Sequence, residues 1–158
     1  HTQSSAASDV YKRQTLAKEL SLYVTIYSPI QMVMDLPENY AARPDAFQFI
    51  KDVPADWEQS IALSGEVGEY LVIARQDRNS TDWYLAAHTN EEARNLKADL
   101  SFLGEGRYTA QIYRDGAKAD FDTAPYDIVI ESREVSAQDT LSFDLGRSGG
   151  AAVRFIKL

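Results

Sequence analysis

Past Pro54, apolar and polar residues alternate with a period of two, in short segments separated by turn residues. Tyr108, Ala110 and Ile112 show this pattern, which directs one face of a strand to a core and the other to water. The pattern predicts an antiparallel β-sandwich of about eight strands, with Greek-key or jelly-roll-like connections. The predicted strands lie near Gln59–Leu63, Glu69–Arg75, Trp83–His88, Arg94–Asp99, Arg107–Tyr113, Tyr126–Glu134, Thr140–Leu145 and Ala152–Leu158.

The segment before Pro54 has a helical period instead. Thr15 is suited to an N-cap position, and Ser28–Pro29 is suited to ending the helix that follows it. Ile30–Leu36 is then apolar without alternation, as in a central strand covered on both faces of a parallel sheet. Pro44–Val53 is predicted to form a second helix. The apolar residues at helical spacing in the first helix are Leu16, Leu20, Tyr23, Val24 and Tyr27.

A helix, a buried strand and a helix form a unit that cannot bury itself, and a complete (β/α)8 barrel takes about 250 residues. We therefore predict that residues 15–53 are the last βα portion of a catalytic barrel and that residues 54–158 are a C-terminal β-sandwich domain. The fold class is mainly β, preceded by a barrel remnant. Residues 1–14 show neither period and are predicted to be a non-native or disordered leader. Within it, Asp9–Gln14 (DVYKRQ) resembles the translation of a sequencing adapter end.

The net charge is −8, from 16 basic and 24 acidic residues, and the basic residues are scattered. This distribution argues against nucleic acids and anionic membranes as partners. Because cysteine is absent, a disulfide framework, a thiolate metal site and a cysteine nucleophile are excluded. No apolar run approaches the roughly 20 residues of a membrane span, so membrane insertion is not expected.

Four motifs together resemble the C-terminal part of glycoside hydrolase family 97. They are YSPIQM (Tyr27–Met32), DLPENY (Asp35–Tyr40), FIKDVPADW (Phe49–Trp57) and GEVGEY (Gly65–Tyr70), and the resemblance runs from residue 15 to residue 158. It implies an α-glucosidase or α-galactosidase-type enzyme with an N-terminal β-sandwich, a calcium-binding catalytic barrel and a C-terminal sandwich. Only the last of these three parts would be complete in this chain.

The resemblance carries further expectations for the full-length enzyme. Calcium is its expected cofactor, with ligands outside this chain, and an oligosaccharide is its expected substrate. Its expected location is periplasmic or secreted. The sandwich is expected to cap the barrel and to aid homo-oligomerisation. This chain alone, without a complete active site, is expected to be inactive.

Asp35 and Glu38 are the candidate substrate-binding residues. They follow the predicted barrel strand and would lie at its C-terminal mouth, where the catalytic groups of barrels cluster. Glycoside hydrolysis needs two carboxyl groups flanking the bond, about 5 Å apart for retention or about 6.5–9.5 Å for inversion. Two residues in one loop approach a sugar from one side, so we assign no catalytic and no metal-binding residue. A turn or cap role for Asp35 and a solvated loop charge at Glu38 are the alternatives.

The other candidates for chemistry are weaker. His88 is the only histidine outside the leader, so neither a His-based metal site nor a Ser-His-Asp arrangement has its parts. The glycines of GEVGEY lie between predicted strands, which is typical of a hairpin turn rather than a phosphate-binding loop. Five aromatic residues could form a sugar-stacking platform, but packing in strands favours a place in the sandwich core or in its seam with the barrel. These are Trp57, Trp83, Tyr84, Tyr108 and Tyr113.

Two alternative functions fit the same pattern. A stand-alone carbohydrate-binding module predicts a row of solvent-facing aromatic residues on one sheet. A structural or interaction β-sandwich predicts a large apolar patch on the sandwich, remote from residues 15–53.

Overall fold

The structure, a computed structural model, describes residues 14–32 and 37–158. Helices α1, α2 and α3 span Leu16–Thr25, Pro37–Ala41 and Pro44–Asp52, and a 3-10 helix spans Ser101–Leu103. Each of the eight strands predicted after Pro54 overlaps an observed one, so the prediction of a mainly β chain with about eight sandwich strands is confirmed. No helix of the described ranges has the length and apolar character needed to cross a membrane. Strands β1 to β8 span Trp57–Glu66, Tyr70–Asp77, Trp83–Thr89, Arg94–Asp99, Arg107–Asp115, Ile128–Ser136, Thr140–Leu145 and Gly150–Lys157.

The strands form two antiparallel sheets. The larger has the order β1-β2-β3-β8-β5-β6, and the smaller pairs β4 with β7. The chain leaves the large sheet after β3 and again after β6, and each time it returns after one strand of the small sheet. Alternate side chains fill the space between the sheets. In β7, for example, Leu141, Phe143 and Leu145 are buried while Ser142 and Asp144 are exposed.

The helices cover the opposite face of the large sheet. Leu20 and Val24 of α1 and Phe49 of α3 pack against the sheet, where they meet Tyr84 of β3 and Ala152 of β8. All five side chains are at most 1% exposed. The molecule therefore has three layers, with the six-stranded sheet in the middle. Helices α1 and α3, which were predicted to flank a barrel strand, share a core with the sandwich.

Helix α1 is fixed at both ends. As predicted, Thr15 is its N-cap, and Thr15 Oγ1 accepts a hydrogen bond from Lys18 N at 3.2 Å. At the other end, Arg75 Nη2 of β2 donates to the Thr25 carbonyl at 3.0 Å, and a cation at this end also suits the helix dipole. Gly150 of β8 lies directly under the helix, where an added Cβ would be 2.5 Å from Lys18 Cα. Only glycine allows α1 to approach the sheet this closely.

Helix α3 is held by charged and polar contacts at its C-terminal end. Arg154 of β8 lies between two carboxylates, 3.1 Å from Asp52 and 2.8 Å from Asp82. The Tyr84 hydroxyl donates to the Asp52 carbonyl at 2.9 Å. These contacts join the last turn of α3 to the two central strands of the large sheet.

The barrel strand predicted for Ile30–Leu36 is not seen in its described part. Ile30–Met32 form no strand, and residues 33–36 lie outside the described residues. Ile30 and Met32 are 75% and 79% exposed, rather than covered on both faces. A strand needs a hydrogen-bonding neighbour, and every described strand lies in the sandwich, with none beside Ile30–Met32. The assignment of residues 15–53 to a barrel stays a prediction.

Candidate functional site

Of the two candidate substrate-binding residues, the structure describes Glu38, which lies near the start of α2. Asp35 is outside the described residues, and Glu38 is exposed in the first turn of that short helix. A carboxylate in a first helical turn interacts favourably with the helix dipole, which gives Glu38 a structural role without a ligand. The sugar contact proposed for Asp35 and Glu38 stays a prediction.

Three carboxylates are buried in the described part of the chain, and each is bound within it. Glu19 accepts a hydrogen bond from a tyrosine hydroxyl at 3.4 Å, Asp82 accepts one from Arg154, and Asp115 accepts one from Thr15. Cleavage of a glycosidic bond needs two carboxyl groups that face a shared space. These three instead hold helices and strands together, so none is assigned an acid or base role.

Asp115, the last residue of β5, joins three parts of the fold. Its Oδ1 accepts a hydrogen bond from Thr15 Oγ1 at 2.6 Å, and its Oδ2 accepts from the backbone N–H groups of Gly146 and Gly150 at 2.9 and 3.0 Å. Burial raises the pKa of the Asp115 carboxyl above its ordinary value, although the hydrogen bonds from Thr15 and the two glycines act in the opposite direction. The carboxylate connects the start of α1 to the turn between β7 and β8.

His88 lies near the end of β3, as predicted, beside a groove of about 730 Å³ at the β1–β2 hairpin. Its Nε2 atom is buried and has no hydrogen-bond partner in the described chain. Burial lowers the pKa of His88 to about 4, and the charge of Lys18 acts in the same direction, so the imidazole is neutral at pH 7. Lys18 Nζ itself donates to the Thr89 carbonyl at 2.7 Å.

Metal-binding side chains are not grouped in residues 14–32 or 37–158. No three of their histidine, aspartate and glutamate side chains lie together in a way that could hold an ion. The residues present therefore do not fit a calcium site, and no chemical step through calcium is derived for them. The expectation that calcium ligands lie elsewhere in the full-length enzyme stays a prediction.

The aromatic residues considered for sugar stacking are all buried. Trp57, Trp83 and Tyr113 are each 5% exposed, Tyr108 is 3% exposed and Tyr84 is 1% exposed. Stacking on a sugar requires an open aromatic face, so these five do not form a platform. Trp83 and Tyr108 lie in the core between the sheets, and Trp57, Tyr84 and Tyr113 lie between the large sheet and the helices, so the prediction that the five are buried by packing is confirmed.

We expect no measurable heat when this chain is titrated with panose or a longer α-glucan in the millimolar range. The reason is that the five aromatic faces on which sugars would stack already pack against protein. Isothermal titration calorimetry makes the measurement, with an established starch-binding module as the positive control. A saturable heat from the present chain would restore the carbohydrate-binding alternative.

An apolar surface lies where α1 ends. Ile26, Tyr27, Ile30 and Met32 are between 53% and 79% exposed, and we call these four residues the α1 patch. Exposed apolar groups of this kind mark contact surfaces when they occur together. The patch lies within residues 15–53, so it does not match the remote sandwich patch that an independent interaction domain predicts.

The large sheet also has two edge strands of different character. Strand β1 has register shifts between Trp57 and Gln59 and between Ala62 and Ser64, and such irregularities hinder pairing with a further strand. Strand β6 pairs with β5 without any shift over its 9 residues. Its other side has no partner strand in the described chain.

Comparison with known proteins identifies the family of the chain. The family model described as "Glycosyl-hydrolase 97 C-terminal, oligomerisation" matches residues 56–156. This chain belongs to glycosyl-hydrolase family 97. The predicted resemblance is confirmed by this match and by relatives that cover 92–93% of the chain.

Two curated relatives are α-galactosidases by name. The chain is 36% identical over 147 residues to the "Retaining alpha-galactosidase" of Bacteroides thetaiotaomicron. The aligned residues cover 93% of this chain and 22% of the relative. The chain is also 34% identical over 136 residues to the "Probable retaining alpha-galactosidase" of Streptomyces bingchenggensis. This alignment covers 86% of this chain and 20% of the relative.

Solved structures show the same domain within longer chains. A family 97 enzyme from Pseudoalteromonas sp. strain K8, determined with panose and with acarbose, is 53% identical with a TM-score of 0.90, over 92% of this chain and 23% of that one. A β-arabinopyranosidase is 28% identical with a TM-score of 0.73, over 90% of this chain and 21% of that one. The family 97 chain described here thus spans between 20% and 23% of the length of these relatives.

Proposed function

We propose that this chain is the C-terminal part of a larger family 97 α-glycosidase, which hydrolyses α-glucosides or α-galactosides in oligosaccharides. The likeness to the Pseudoalteromonas enzyme carries the proposal, since 53% identity and a TM-score of 0.90 extend over 92% of this chain. In this enzyme the sandwich caps the catalytic barrel and supports self-association. The description of the matching family model as an oligomerisation domain supports the second role.

The α1 patch supports the contact with a barrel. Its four apolar side chains follow α1, one of the two helices packed against the sandwich, and they point away from both cores. Burying such side chains stabilises an interface by roughly 25 cal/mol for each Å² of apolar surface removed from water. The proposed occupant of the patch is the remainder of the barrel.

The chemistry proposed for the larger enzyme is acid-assisted displacement at the anomeric carbon. A protonated carboxylic acid gives its proton to the leaving oxygen, and a second carboxylate acts on the opposite face of the sugar. The names of the two curated relatives, both called retaining, support direct attack by that second carboxylate. The role proposed for the present residues is to hold the barrel in place. A periplasmic or secreted location belongs to the same proposal and rests on the family resemblance.

The proposal is tested with the complete reading frame that contains this chain. We expect its product to hydrolyse panose or a chromogenic α-galactoside, and the relative rates decide between the two substrate classes. The 158-residue chain, assayed alongside, is expected to give no turnover above the blank, because each of the three buried carboxylates among its described residues is already bound within the fold. Activity of the short chain, or inactivity of the complete product on both substrates, would contradict the proposal.

A further inference from the structure

Strand β6 is an open sheet edge that lacks several of the features that usually protect one. Monomeric proteins guard their edge strands with bulges, prolines, charged side chains (lysine above all) or a covering segment, and of these β6 has charged side chains, at Glu131, Arg133 and Glu134. The sequence of β6, IVIESREVS, contains neither proline nor lysine, and its ladder with β5 has no register shift. At 9 residues it is also longer than β4 and β7, which have 6 each.

The backbone geometry shows which residues of β6 face this open edge. Leu158 N donates to the Arg107 carbonyl at 2.9 Å, so the backbone groups of Arg107 point to β8, away from β6. Arg107 faces Ser136 across the β5–β6 ladder, and hydrogen-bonded and non-hydrogen-bonded pairs alternate from there. In agreement, Gly116 N donates to the Asp127 carbonyl at 2.8 Å, which places odd-numbered residues on the β5 side. The residues whose N–H and C=O groups face the open edge are Ile128, Ile130, Ser132 and Glu134.

We propose that two copies of this chain pair antiparallel through β6, with Ser132 of one copy opposite Ser132 of the other across a two-fold axis. The inference rests on the self-association in the proposed function and names the surface that performs it. In this register Ile130 of each copy lies opposite Glu134 of the other. Three facing pairs, each with backbone groups directed at the edge, supply about six hydrogen bonds.

Charge selects this register over its neighbours. With the axis on Ser132, Glu131 of each copy lies opposite Arg133 of the other, so two pairs of opposite charge form. With the axis on Glu131 or on Arg133 instead, two like charges would lie directly opposite each other, which destabilises a strand pair. The sequence Glu-Ser-Arg at the middle of β6 is therefore complementary to itself when read antiparallel.

Charged side chains of β6 are also placed where they can form ion pairs with a second copy. Arg133 is exposed, and its charge helps to lower the pKa values of Glu131 and Asp139 in its own chain, but it has no salt bridge or side-chain hydrogen bond with the described residues. Glu131 already lies 3.0 Å from Arg114 of the adjacent strand. Pairing places the second copy's Arg133 on the other side of Glu131, which produces a row of alternating charges across the junction.

The test is the oligomeric state of the chain, measured by analytical ultracentrifugation over a range of concentrations. We expect the unchanged chain to be a dimer. R133E sets two acidic side chains opposite each other on both sides of the two-fold axis, and E131R does the same with basic ones. Each variant alone is expected to weaken the dimer at least about tenfold. An equimolar mixture of the two is expected to form a mixed dimer again, because every facing pair is then of opposite charge.

Lys97→Glu is the matched control. It makes the same change in charge on an exposed position of β4, away from β6, and is expected to leave the dimer intact. Thermal unfolding of each variant shows that it is folded. A dimer that persists unchanged in R133E, or no mixed dimer, would overturn the assignment to β6 while leaving self-association in place. A monomeric unchanged chain would overturn self-association itself.

Discussion

Replacement of Asp115 by alanine is expected to lower the free energy of unfolding by about 2–4 kcal/mol. The Asp115 carboxylate accepts from Thr15 Oγ1 and from the N–H groups of Gly146 and Gly150, and the residue is 1% exposed. Alanine leaves these three donors without an acceptor in a place that water does not reach. The alanine variant no longer has to bury a charged group, and this gain offsets part of the loss. The expected value is therefore below the summed free energy of three lost hydrogen bonds. Urea unfolding followed by circular dichroism measures the change.

Asp115→Asn is the matched variant, because it keeps an oxygen for the two glycine N–H groups. We expect it to cost less than Asp115→Ala. The raised pKa of Asp115 also predicts a dependence on pH. The folded protein holds this proton to higher pH than the unfolded chain, so the resulting stability is present below about pH 4 and is lost as the pH rises through the raised pKa. The stability of the unchanged chain relative to Asp115→Asn should therefore increase on acidification from pH 7. An equal cost for both substitutions would show that the hydrogen bonds are not what Asp115 contributes.

Phe49→Ala is expected to lower the free energy of unfolding by about 3–5 kcal/mol. Phe49 is 1% exposed and lies between α3 and the large sheet, with ring centroids 5.2 Å from Tyr113 and 6.1 Å from Tyr84. Removing the ring deletes buried apolar surface and leaves a cavity, since two large aromatic neighbours attached to strands cannot close the space. The same urea experiment applies.

Tyr27→Ala serves as the control for Phe49→Ala, because Tyr27 is an aromatic residue that is 67% exposed. It is expected to change the free energy of unfolding by less than about 0.5 kcal/mol. A loss below 1 kcal/mol for Phe49→Ala would mean that α3 is not docked on the sheet as described. A large loss for Tyr27→Ala would mean that the α1 patch is covered within the chain itself.

Strand positions could be predicted from the sequence because a two-residue period is a direct record of one buried and one exposed face. β7 shows this well, since the alternation of Leu141, Phe143 and Leu145 is also the observed pattern of burial. Strand order could not be predicted in this way. The period does not record which strand lies beside which, and the neighbours of β8 are β3 and β5, which are distant in sequence.

The behaviour of residues 15–53 was only partly predictable. The helical spacing located α1, and Pro44 located the start of α3. An apolar run such as Ile30–Leu36 indicates a buried strand, but it does not provide the neighbouring strands on which burial depends. The same helical spacing that fits a barrel helix also fits a helix packed on a sandwich, which is the contact that α1 and α3 make.

The role of Asp115 had no clear signal in the sequence. Followed by Gly116, it has the composition of a solvated turn, and its main partner Thr15 is 100 positions away. The burial of the five aromatic residues was easier to predict, because their positions in strands favoured packing against protein, and all five are buried. The difference is physical. Apolar burial leaves a periodic trace along the chain, whereas a buried polar contact between distant segments leaves none.

The irregular ladder of β1 has a consequence for any assembly that grows by joining sheets. When two copies meet along β6, both outer margins of the merged sheet are β1 strands, each with two interruptions in its register. A third copy finds no straight row of backbone groups to extend. In the proposed pair, growth of the large sheet would therefore end at two copies instead of continuing as in a fibre.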